Sequence, residues 1–211
     1  MKLLLTSNGL TSVKLVNEFK TLITKPLNKL KILMITTGPE NKNDKERKIK
    51  IADYVLDFEK PLIKAGIPKD NFTILFMSEP FGVDLNNFDI IFVCGGNTFL
   101  YLYLIKKLGL DIKIKNFVKK GGLYIGVSAG SIIAGPDIKS ASFGLNHDEN
   151  IVKIKDLKGL ELVNFTLFPH ADKDDKKIMN NIKKANLEYN CLILNDGEGV
   201  SVINNNIKEI K

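Results

Sequence analysis

The sequence predicts an α/β fold in which helices cover both faces of a mostly parallel sheet. Apolar, β-branched segments bounded by turn residues recur along the chain, and segments with helical periodicity lie between them. The segments Ile90–Val93 and Leu123–Val127 are almost continuously hydrophobic, which is typical of strands buried on both faces. We therefore expect a three-layer sandwich. No linker, repeat or charge block interrupts residues 1–211, so we expect one domain.

Each element follows from this pattern in chain order. The predicted strands are Lys2–Thr6, Lys31–Thr36, Phe72–Met77, Asp89–Cys94, Gly122–Val127, Leu162–Phe168 and Cys191–Leu194. The predicted helices are Ser12–Thr24, Lys45–Lys64, Thr98–Leu108, Ile112–Lys119, Ser128–Ala134 and Asp174–Ala185. Pro61 is expected to kink or end the second helix. The tail predicts a β-hairpin, with strands at Gly199–Ile203 and Ile207–Ile210 around an asparagine turn.

Composition excludes several classes of protein. Hydrophobic residues make up 44% of the chain and charged residues 26%, which are values of a globular domain and not of a disordered one. The apolar runs fall far short of the roughly 20 residues that span a bilayer, and the first residues lack the features of a signal peptide. Cys94 and Cys191 lie in apolar runs and are expected to be free thiols. We expect a cytoplasmic protein without a membrane partner.

The net charge of +7 does not predict a nucleic-acid partner. Arg47 is the only arginine, and the lysines are scattered beside acidic residues on predicted helices, as on a solvated surface. The chain also lacks an H-E-x-x-H motif, clustered Cys and His ligands, and the glycine-rich phosphate-binding motifs. We therefore expect neither a metal nor an organic cofactor.

The strongest local signal is Gly-Val-Ser-Ala-Gly at residues 126–130, which matches the G-x-S-x-G nucleophile elbow. A structural serine in a glycine-rich turn is the alternative interpretation. The motif ends a predicted buried strand and begins a helix, and this is the context that an exposed nucleophile requires. Ser128 is therefore the candidate nucleophile, and the amide of Ala129 is placed to bind an oxyanion at the helix N-terminus.

A serine nucleophile needs a base, and the chain has two histidines, His147 and His170. His170 follows a predicted strand at its carboxyl end, where ligands bind in open α/β sheets, whereas His147 lies in a polar loop. We expect His170 to be the base. Among carboxylates, Asp148 and Glu149 are the nearest candidates for the orienting acid, while Asp137 follows Ser128 closely and is carried away by the helix.

A second glycine cluster, Gly95-Gly96, lies between the predicted strand that leads to Cys94 and the predicted helix that follows. Asn97 or Thr98 is the expected N-cap of that helix. The exposed backbone at Gly95 and Gly96 is suited to bind an anion, and we expect it to supply a second oxyanion amide that complements Ala129.

Three motifs together resemble one known family. The segments Gly95–Phe99, Gly122–Gly130 and Pro169-His170, preceded by the opening Leu3–Asn8, are similar in order and spacing to the peptidase E (aspartyl dipeptidase) family of serine peptidases, which is related to cyanophycinase. The resemblance covers most of the chain. It implies an α/β sandwich of the class I glutamine amidotransferase-like type, with the nucleophile on a strained turn between a strand and a helix.

The resemblance also implies site residues: Ser128 as nucleophile, His170 as base, and Gly96 and Ala129 as oxyanion-hole amides. The family's acid lies about twenty residues before the histidine, which favours Asp148 and keeps Glu149 as the alternative. Asp196 and Glu198 resemble a family loop at the sheet's carboxyl edge, where we expect at most contact with a substrate amine.

The chain departs from the family in its substrate-reading segment. Aspartyl dipeptidases of this family read the substrate's aspartate through an arginine after the histidine, and no arginine exists there. Lys173, Lys176 and Lys177 offer point charges without the planar fork that binds a carboxylate through two hydrogen bonds. Lys173 and Asn97 are the expected substrate contacts.

The resulting expectation is a serine peptidase acting on dipeptides or short peptides, with Asp-X dipeptides among the candidates. Two alternatives remain open at the level of sequence. One is an esterase or amidase that uses the same elbow on a small acyl compound. The other is a binding or regulatory relative whose elbow has no catalytic role.

Overall fold

The computed structural model of the protein describes residues 1–38, 45–78, 82–145, 147–171 and 190–211, and for residues 45–53 it describes the backbone alone. The described residues form nine strands and five α-helices: β1 (Lys2–Thr6), α1 (Val13–Leu22), β2 (Ile32–Thr36), α2 (Lys45–Ala65), β3 (Phe72–Phe76), β4 (Ile90–Val93), α3 (Thr98–Lys107), α4 (Leu110–Lys119), β5 (Leu123–Val127), α5 (Ala129–Ile132), β6 (Thr166–Phe168), β7 (Cys191–Ile193), β8 (Gly199–Ile203) and β9 (Asn206–Ile210).

Seven of the described strands form one sheet in the order β3-β2-β4-β5-β1-β8-β9. The pairs from β3 to β1 are parallel, whereas β8 runs antiparallel to β1 and β9 runs antiparallel to β8. The mostly parallel sheet and the C-terminal hairpin are therefore confirmed. Asn204 and Asn205 form the hairpin turn with φ of 48° and 71°, a left-handed conformation that asparagine tolerates better than most residues.

Consecutive residues of the central strands pack on opposite faces of the sheet. Leu4 belongs to a hydrophobic core beneath α1 and α2, while Leu3 and Leu5 belong to a second core beneath α3, α4 and α5. All three leucines are fully buried. This burial on both faces is what the continuous hydrophobic runs predict, and it confirms the three-layer arrangement.

Helix α2 matches the predicted range to within one residue and continues through Pro61 to Ala65, so Pro61 does not end it. One predicted strand begins later than expected. The predicted strand Leu162–Phe168 is a strand only from Thr166. Its first residues instead pack along the end of α5, where the Leu162 N–H donates to the Ala134 carbonyl at 2.9 Å.

Strand β6 does not join the main sheet. It pairs in parallel with β7 in a separate two-stranded sheet. Helix α5 is shorter than predicted and ends at Ile132. The predicted helix Asp174–Ala185 lies outside the described residues.

The described thiols are free and shielded. Cys94 is fully buried, and burial raises the pKa of its thiol far above the usual range. Burial also raises the pKa of the Cys191 thiol. Both side chains are therefore protonated at neutral pH and are poor nucleophiles. Within the described part of the chain, no helix combines the length and apolar character needed to cross a membrane.

Candidate active site

Ser128 lies on a sharp turn between β5 and α5. Its φ of 48° and ψ of −109° are unusual for a residue with a side chain and store strain in the backbone. Two sets of backbone hydrogen bonds hold this conformation: the Ser128 N–H donates to the Thr6 carbonyl at 3.0 Å, and the Ser128 carbonyl accepts from Ser131 and Ile132. The turn therefore presents the serine side chain at the carboxyl edge of the sheet.

The glycines on either side of Ser128 are required by close backbone contacts. A Cβ at Gly126 would lie 2.5 Å from the Gly130 carbonyl oxygen, and one at Gly130 would lie 2.2 Å from the Val93 carbonyl oxygen. The Tyr124 hydroxyl donates to that Gly130 carbonyl at 2.6 Å. The G-x-S-x-G pattern is thus explained by packing between β4, β5 and α5.

The imidazole of His170 links Ser128 to Asp196. Nε2 of His170 lies 3.0 Å from Oγ of Ser128, and Nδ1 lies 2.6 Å from Oδ1 of Asp196. Because a carboxylate only accepts, Nδ1 carries the proton and donates to Asp196, which leaves Nε2 free to accept from the serine hydroxyl. The side chains of His170 and Asp196 are each 23% exposed, so solvent reaches the site only partly.

His170 is positioned by strand β6 and by the N-terminal segment. It follows β6 with a φ of 59°, and its N–H donates to the Ser7 hydroxyl at 2.9 Å. The next residue, Ala171, donates to the Leu194 carbonyl at 3.0 Å, which ties the histidine to the end of β7. The separate two-stranded sheet therefore brings His170 to the elbow.

Asp196 lies in a turn that is attached to the segment after β1. Its carboxylate accepts a hydrogen bond of 2.9 Å from the Ser7 hydroxyl. The adjacent Gly197 N–H donates to the Asn8 side chain at 2.8 Å, and Glu198 accepts from the Asn195 N–H at 2.8 Å. These contacts hold the Asp196 carboxylate against the imidazole.

The carboxylate that contacts the imidazole is not the one that the sequence predicts. The sequence favours Asp148, with Glu149 as the alternative, and the structure has Asp196 at that position instead. Oδ2 of Asp148 accepts from the N–H of Thr98 at 2.8 Å and from its hydroxyl at 2.5 Å. Glu149 is exposed, and its backbone carbonyl accepts from Asn97. Both acids lie in a loop that folds across the start of α3, whereas the described partner of Nδ1 is Asp196.

Both polar atoms of the Asn97 side chain form hydrogen bonds. Its Oδ1 caps helix α3 by accepting from the Leu100 N–H at 3.0 Å, and its Nδ2 donates to the Glu149 carbonyl at 2.8 Å. The side chain fastens a loop to the helix, and its contact with substrate stays a prediction. The other predicted substrate contact, Lys173, lies outside the described residues.

The amides of Gly96 and Ala129 are the predicted oxyanion donors. Neither N–H donates to another described residue. Gly96 is exposed and has a φ of 144°, a conformation that residues with a side chain rarely adopt. Its neighbour Gly95 packs against the elbow, because a Cβ there would lie 3.5 Å from the Ser128 Cβ. The two loops therefore meet beside the serine.

The remaining titratable candidates lie away from the imidazole. His147 is exposed, with Nδ1 lying 3.1 Å from the Gly144 carbonyl oxygen. Asp137 is buried and accepts from the N–H of Lys139.

A small cavity of about 40 Å³ opens beside Ser128. Its walls combine four polar residues, Ser128, His170, Asp148 and Ser140, with five apolar ones, Ile132, Ala141, Phe143, Phe168 and Pro169. Larger cavities exist elsewhere, but they lack the serine and the histidine. Among the described residues, no group of His, Cys, Asp and Glu side chains is arranged to hold a metal ion.

Sequence reasoning missed Ser7 and Tyr54 at this site, and it expected of Asp196 no more than contact with a substrate amine. Ser7 directly follows the buried strand β1, and a polar residue in that position is the signal that points to it. Tyr54 of α2 lies with its hydroxyl against Gly95, beside the elbow. Burial, with smaller contributions from Cys94 and Asp57, raises the pKa of this phenol to about 12, so it is neutral. No local motif marks Tyr54.

The chain is similar in sequence to known peptidases. The sequence model of "Peptidase family S51" matches residues 3–210. The "Uncharacterized peptidase Lmo0363" of Listeria monocytogenes is 38% identical over 82 residues, which cover 39% of this chain and 40% of that protein. "Peptidase E" of Escherichia coli O1:K1 / APEC is 39% identical over 85 residues, which cover 40% of this chain and 33% of that protein. These matches span less than half the length of either relative.

Solved structures share the fold over more of the chain. A 1.5 Å crystal structure from Listeria monocytogenes EGD-e, described as a "Putative Peptidase E Protein", matches with a TM-score of 0.76 at 24% identity and covers 100% of this chain and 98% of that one. A peptidase from an acI-B1 Actinobacterium matches with a TM-score of 0.66 at 17% identity over 95% of this chain and 82% of that one.

Proposed function

Because the chain belongs to peptidase family S51, we propose that it is a serine peptidase that hydrolyses dipeptides or short peptides through Ser128, His170 and Asp196. The observation that carries the proposal is the continuous contact from Ser128 Oγ to His170 Nε2 at 3.0 Å and from His170 Nδ1 to Asp196 at 2.6 Å. Hydrogen-bonded serine, histidine and carboxylate in this order are the arrangement that activates a hydroxyl.

In the proposed reaction, Ser128 attacks the scissile carbonyl while His170 Nε2 takes the hydroxyl proton. The imidazolium that forms is stabilised by Asp196, and it returns the proton to the leaving amine. Water then hydrolyses the acyl-enzyme with His170 again acting as base. General-base catalysis of this kind contributes about 10²–10⁴-fold to the rate.

The amides of Gly96 and Ala129 bind the oxygen that becomes negative in the tetrahedral intermediate. Two observations support this assignment. Neither N–H donates a hydrogen bond to another described residue, and the two loops that carry these amides are in contact beside Ser128. Each donor of this kind contributes about 10²–10³-fold to turnover.

The decisive experiment replaces the nucleophile. Ser128→Ala removes the attacking oxygen, and we expect it to abolish hydrolysis of a dipeptide panel that includes Asp-X peptides, with no loss of melting temperature. Ser142→Ala is the matched control, because this nearby serine is exposed and lies outside the contacts above. Labelling by a fluorophosphonate should follow the same pattern. A Ser128→Ala protein that cleaves peptides as fast as wild type refutes the proposal.

The same experiment separates the alternatives. Activity on p-nitrophenyl esters without activity on any dipeptide identifies an esterase or amidase. Failure of Ser128 to react with the fluorophosphonate, while a ligand still raises the melting temperature, identifies a binding protein.

A further inference from the structure

Each proposed oxyanion amide shares a peptide bond with a carbonyl group, and the orientation of that carbonyl determines where the amide points. A trans peptide is planar, with its C=O and N–H directed to opposite sides. The Ala129 N–H lies in one peptide with the Ser128 carbonyl, and the Gly96 N–H lies in one with the Gly95 carbonyl. Whatever holds each carbonyl therefore also orients the N–H that binds the oxyanion.

The first of these carbonyls is held by the backbone. The Ser128 carbonyl accepts from the N–H groups of Ser131 and Ile132 at 2.8 Å and 3.0 Å, at the start of helix α5. These two hydrogen bonds direct the Ala129 N–H to the free N-terminal end of the helix, where backbone donors lack partners within the helix. This amide needs no side chain to orient it.

The second carbonyl has no such backbone partner. Gly95 and Gly96 lie between β4 and α3, and no backbone N–H of the described residues donates to the Gly95 carbonyl. A peptide between two glycines rotates at little steric cost, because neither residue has a Cβ. Without a partner for its carbonyl, this peptide would present its N–H to a substrate in only part of the population.

The side chain of Tyr101 supplies that partner. Tyr101 is a fully buried residue of α3, and its hydroxyl proton is shared between the Gly95 carbonyl at 3.2 Å and the Ile35 carbonyl at 3.4 Å. Its ring also packs against Gly96, because a Cβ there would lie 3.0 Å from a ring carbon. Burial raises the pKa of this phenol well above the ordinary value, so the hydroxyl keeps the proton that it donates.

We propose that Tyr101 is a positioning residue of the oxyanion hole. Gly95 is buried and Gly96 is exposed, so a hydroxyl that holds the Gly95 carbonyl in the interior turns the Gly96 N–H outward, to the side on which Ser128 is presented. The inference rests on the proposed function, because an oxyanion forms only if Ser128 attacks a carbonyl. Tyr101 acts through the Gly96 amide and does not bind substrate, since its own side chain is fully buried.

The test is Tyr101→Phe, which removes one oxygen and keeps the ring against Gly96. We expect kcat to fall about tenfold, and KM to stay within about twofold, for the dipeptide that wild type cleaves fastest, because only the tetrahedral intermediate loses a fixed donor. A fluorophosphonate places its phosphoryl oxygen in the same hole, so it should label Ser128 about tenfold more slowly. The pH midpoints of kcat/KM should not move, since His170 and Asp196 keep their contacts.

Tyr103→Phe is the matched control. This tyrosine lies in the same helix, is 37% exposed and has its ring beside Lys107, so its kcat, KM and labelling rate should equal those of wild type. A double variant then tests whether Tyr101 acts through Gly96. In a Gly96→Ala background the amide is already displaced, so adding Tyr101→Phe should lower kcat by less than about twofold.

Four results overturn the inference. Wild-type kcat in Tyr101→Phe refutes it and leaves the proposed function standing. Losses that multiply in the double variant show that Tyr101 does not act through Gly96, and a shifted pH midpoint shows that it acts on His170. A Tyr101→Phe protein that does not fold, or whose loss of kcat disappears when rates are divided by the folded fraction, shows a role in stability alone. Wild type that cleaves no dipeptide and resists the fluorophosphonate instead refutes the proposed function itself.

Discussion

The hydroxyl of Ser7 donates a hydrogen bond of 2.9 Å to Asp196 and accepts the backbone N–H of His170 at the same distance. One buried side chain from the end of β1 thus positions both the base and the acid of the proposed triad. Neither partner is near Ser7 in sequence.

Ser7→Ala should lower kcat by about tenfold, because losing two hydrogen bonds of about 1 kcal/mol each loosens Asp196 and His170 together. Steady-state kinetics on the preferred dipeptide measures the loss, with Ser142→Ala as control. A variant with wild-type kcat would mean that the turn at Asp196 is held without Ser7.

Asp196→Asn should lower kcat by about 10³–10⁴-fold while the fold is kept, because an amide holds the wrong tautomer of His170 and cannot stabilise the imidazolium. Glu149→Gln is the informative control. It replaces the exposed acid that sequence left as a candidate, and we expect its kcat to stay within twofold. If Glu149→Gln is the inactive variant, the acid has been assigned incorrectly.

Gly96→Ala should reduce kcat by about 10²-fold or more and change KM little, because the substitution disturbs an oxyanion amide. Gly96 has a φ of 144°, and a Cβ there would lie 3.0 Å from the Tyr101 ring, so the loop has to shift. Gly82→Ala is the matched control, since nothing lies within 4 Å of its added Cβ. Equal kcat values for the two variants would remove Gly96 from the oxyanion hole.

Glu18, which contacts Ser201 and Lys208 of the C-terminal hairpin, should make the free energy of unfolding depend on pH. Burial raises the pKa of its carboxyl, but hydrogen bonds from Lys208 and Ser201 outweigh it and leave the pKa lowered. The contribution of the charged form to stability is therefore complete above the ordinary pKa of 4.5 and disappears as the pH falls through the lowered folded-state value.

Ser201→Ala should cost about 2 kcal/mol in free energy of unfolding at pH 7, because it removes a buried donor to a charged carboxylate. The difference from wild type should shrink at pH 3. Urea denaturation at both values measures it, with Ser142→Ala as the exposed control. A difference that is the same at both pH values would show that Glu18 does not carry the effect.

The elements that sequence predicts well are those determined by local pattern. The predicted strand Gly122–Val127 is confirmed from Leu123 onward, because its continuous hydrophobicity reflects burial on both faces. The sharp turn at Ser128 is present, and the two glycines of the motif allow close backbone contacts there, at Gly126 with Gly130 and at Gly130 with β4. The same holds for the hairpin, in which asparagines occupy left-handed turn positions.

The carboxylate beside His170 was not predictable in this way. Asp196 reaches His170 because β6 and β7 pair outside the main sheet and because the turn after β7 is attached to Ser7. These are tertiary contacts between distant segments, and spacing along the chain does not encode them. Asp148 lies at a plausible distance in sequence, yet its loop folds onto Thr98.

Strand β1 lies between β5 and β8, so the N-terminal segment completes the sheet and also supplies Ser7 to the site. The contacts of Ser7 with Asp196 and His170 therefore exist only when β1 is in place between these strands, so any local opening of the N-terminal segment would also release the imidazole and its carboxylate partner.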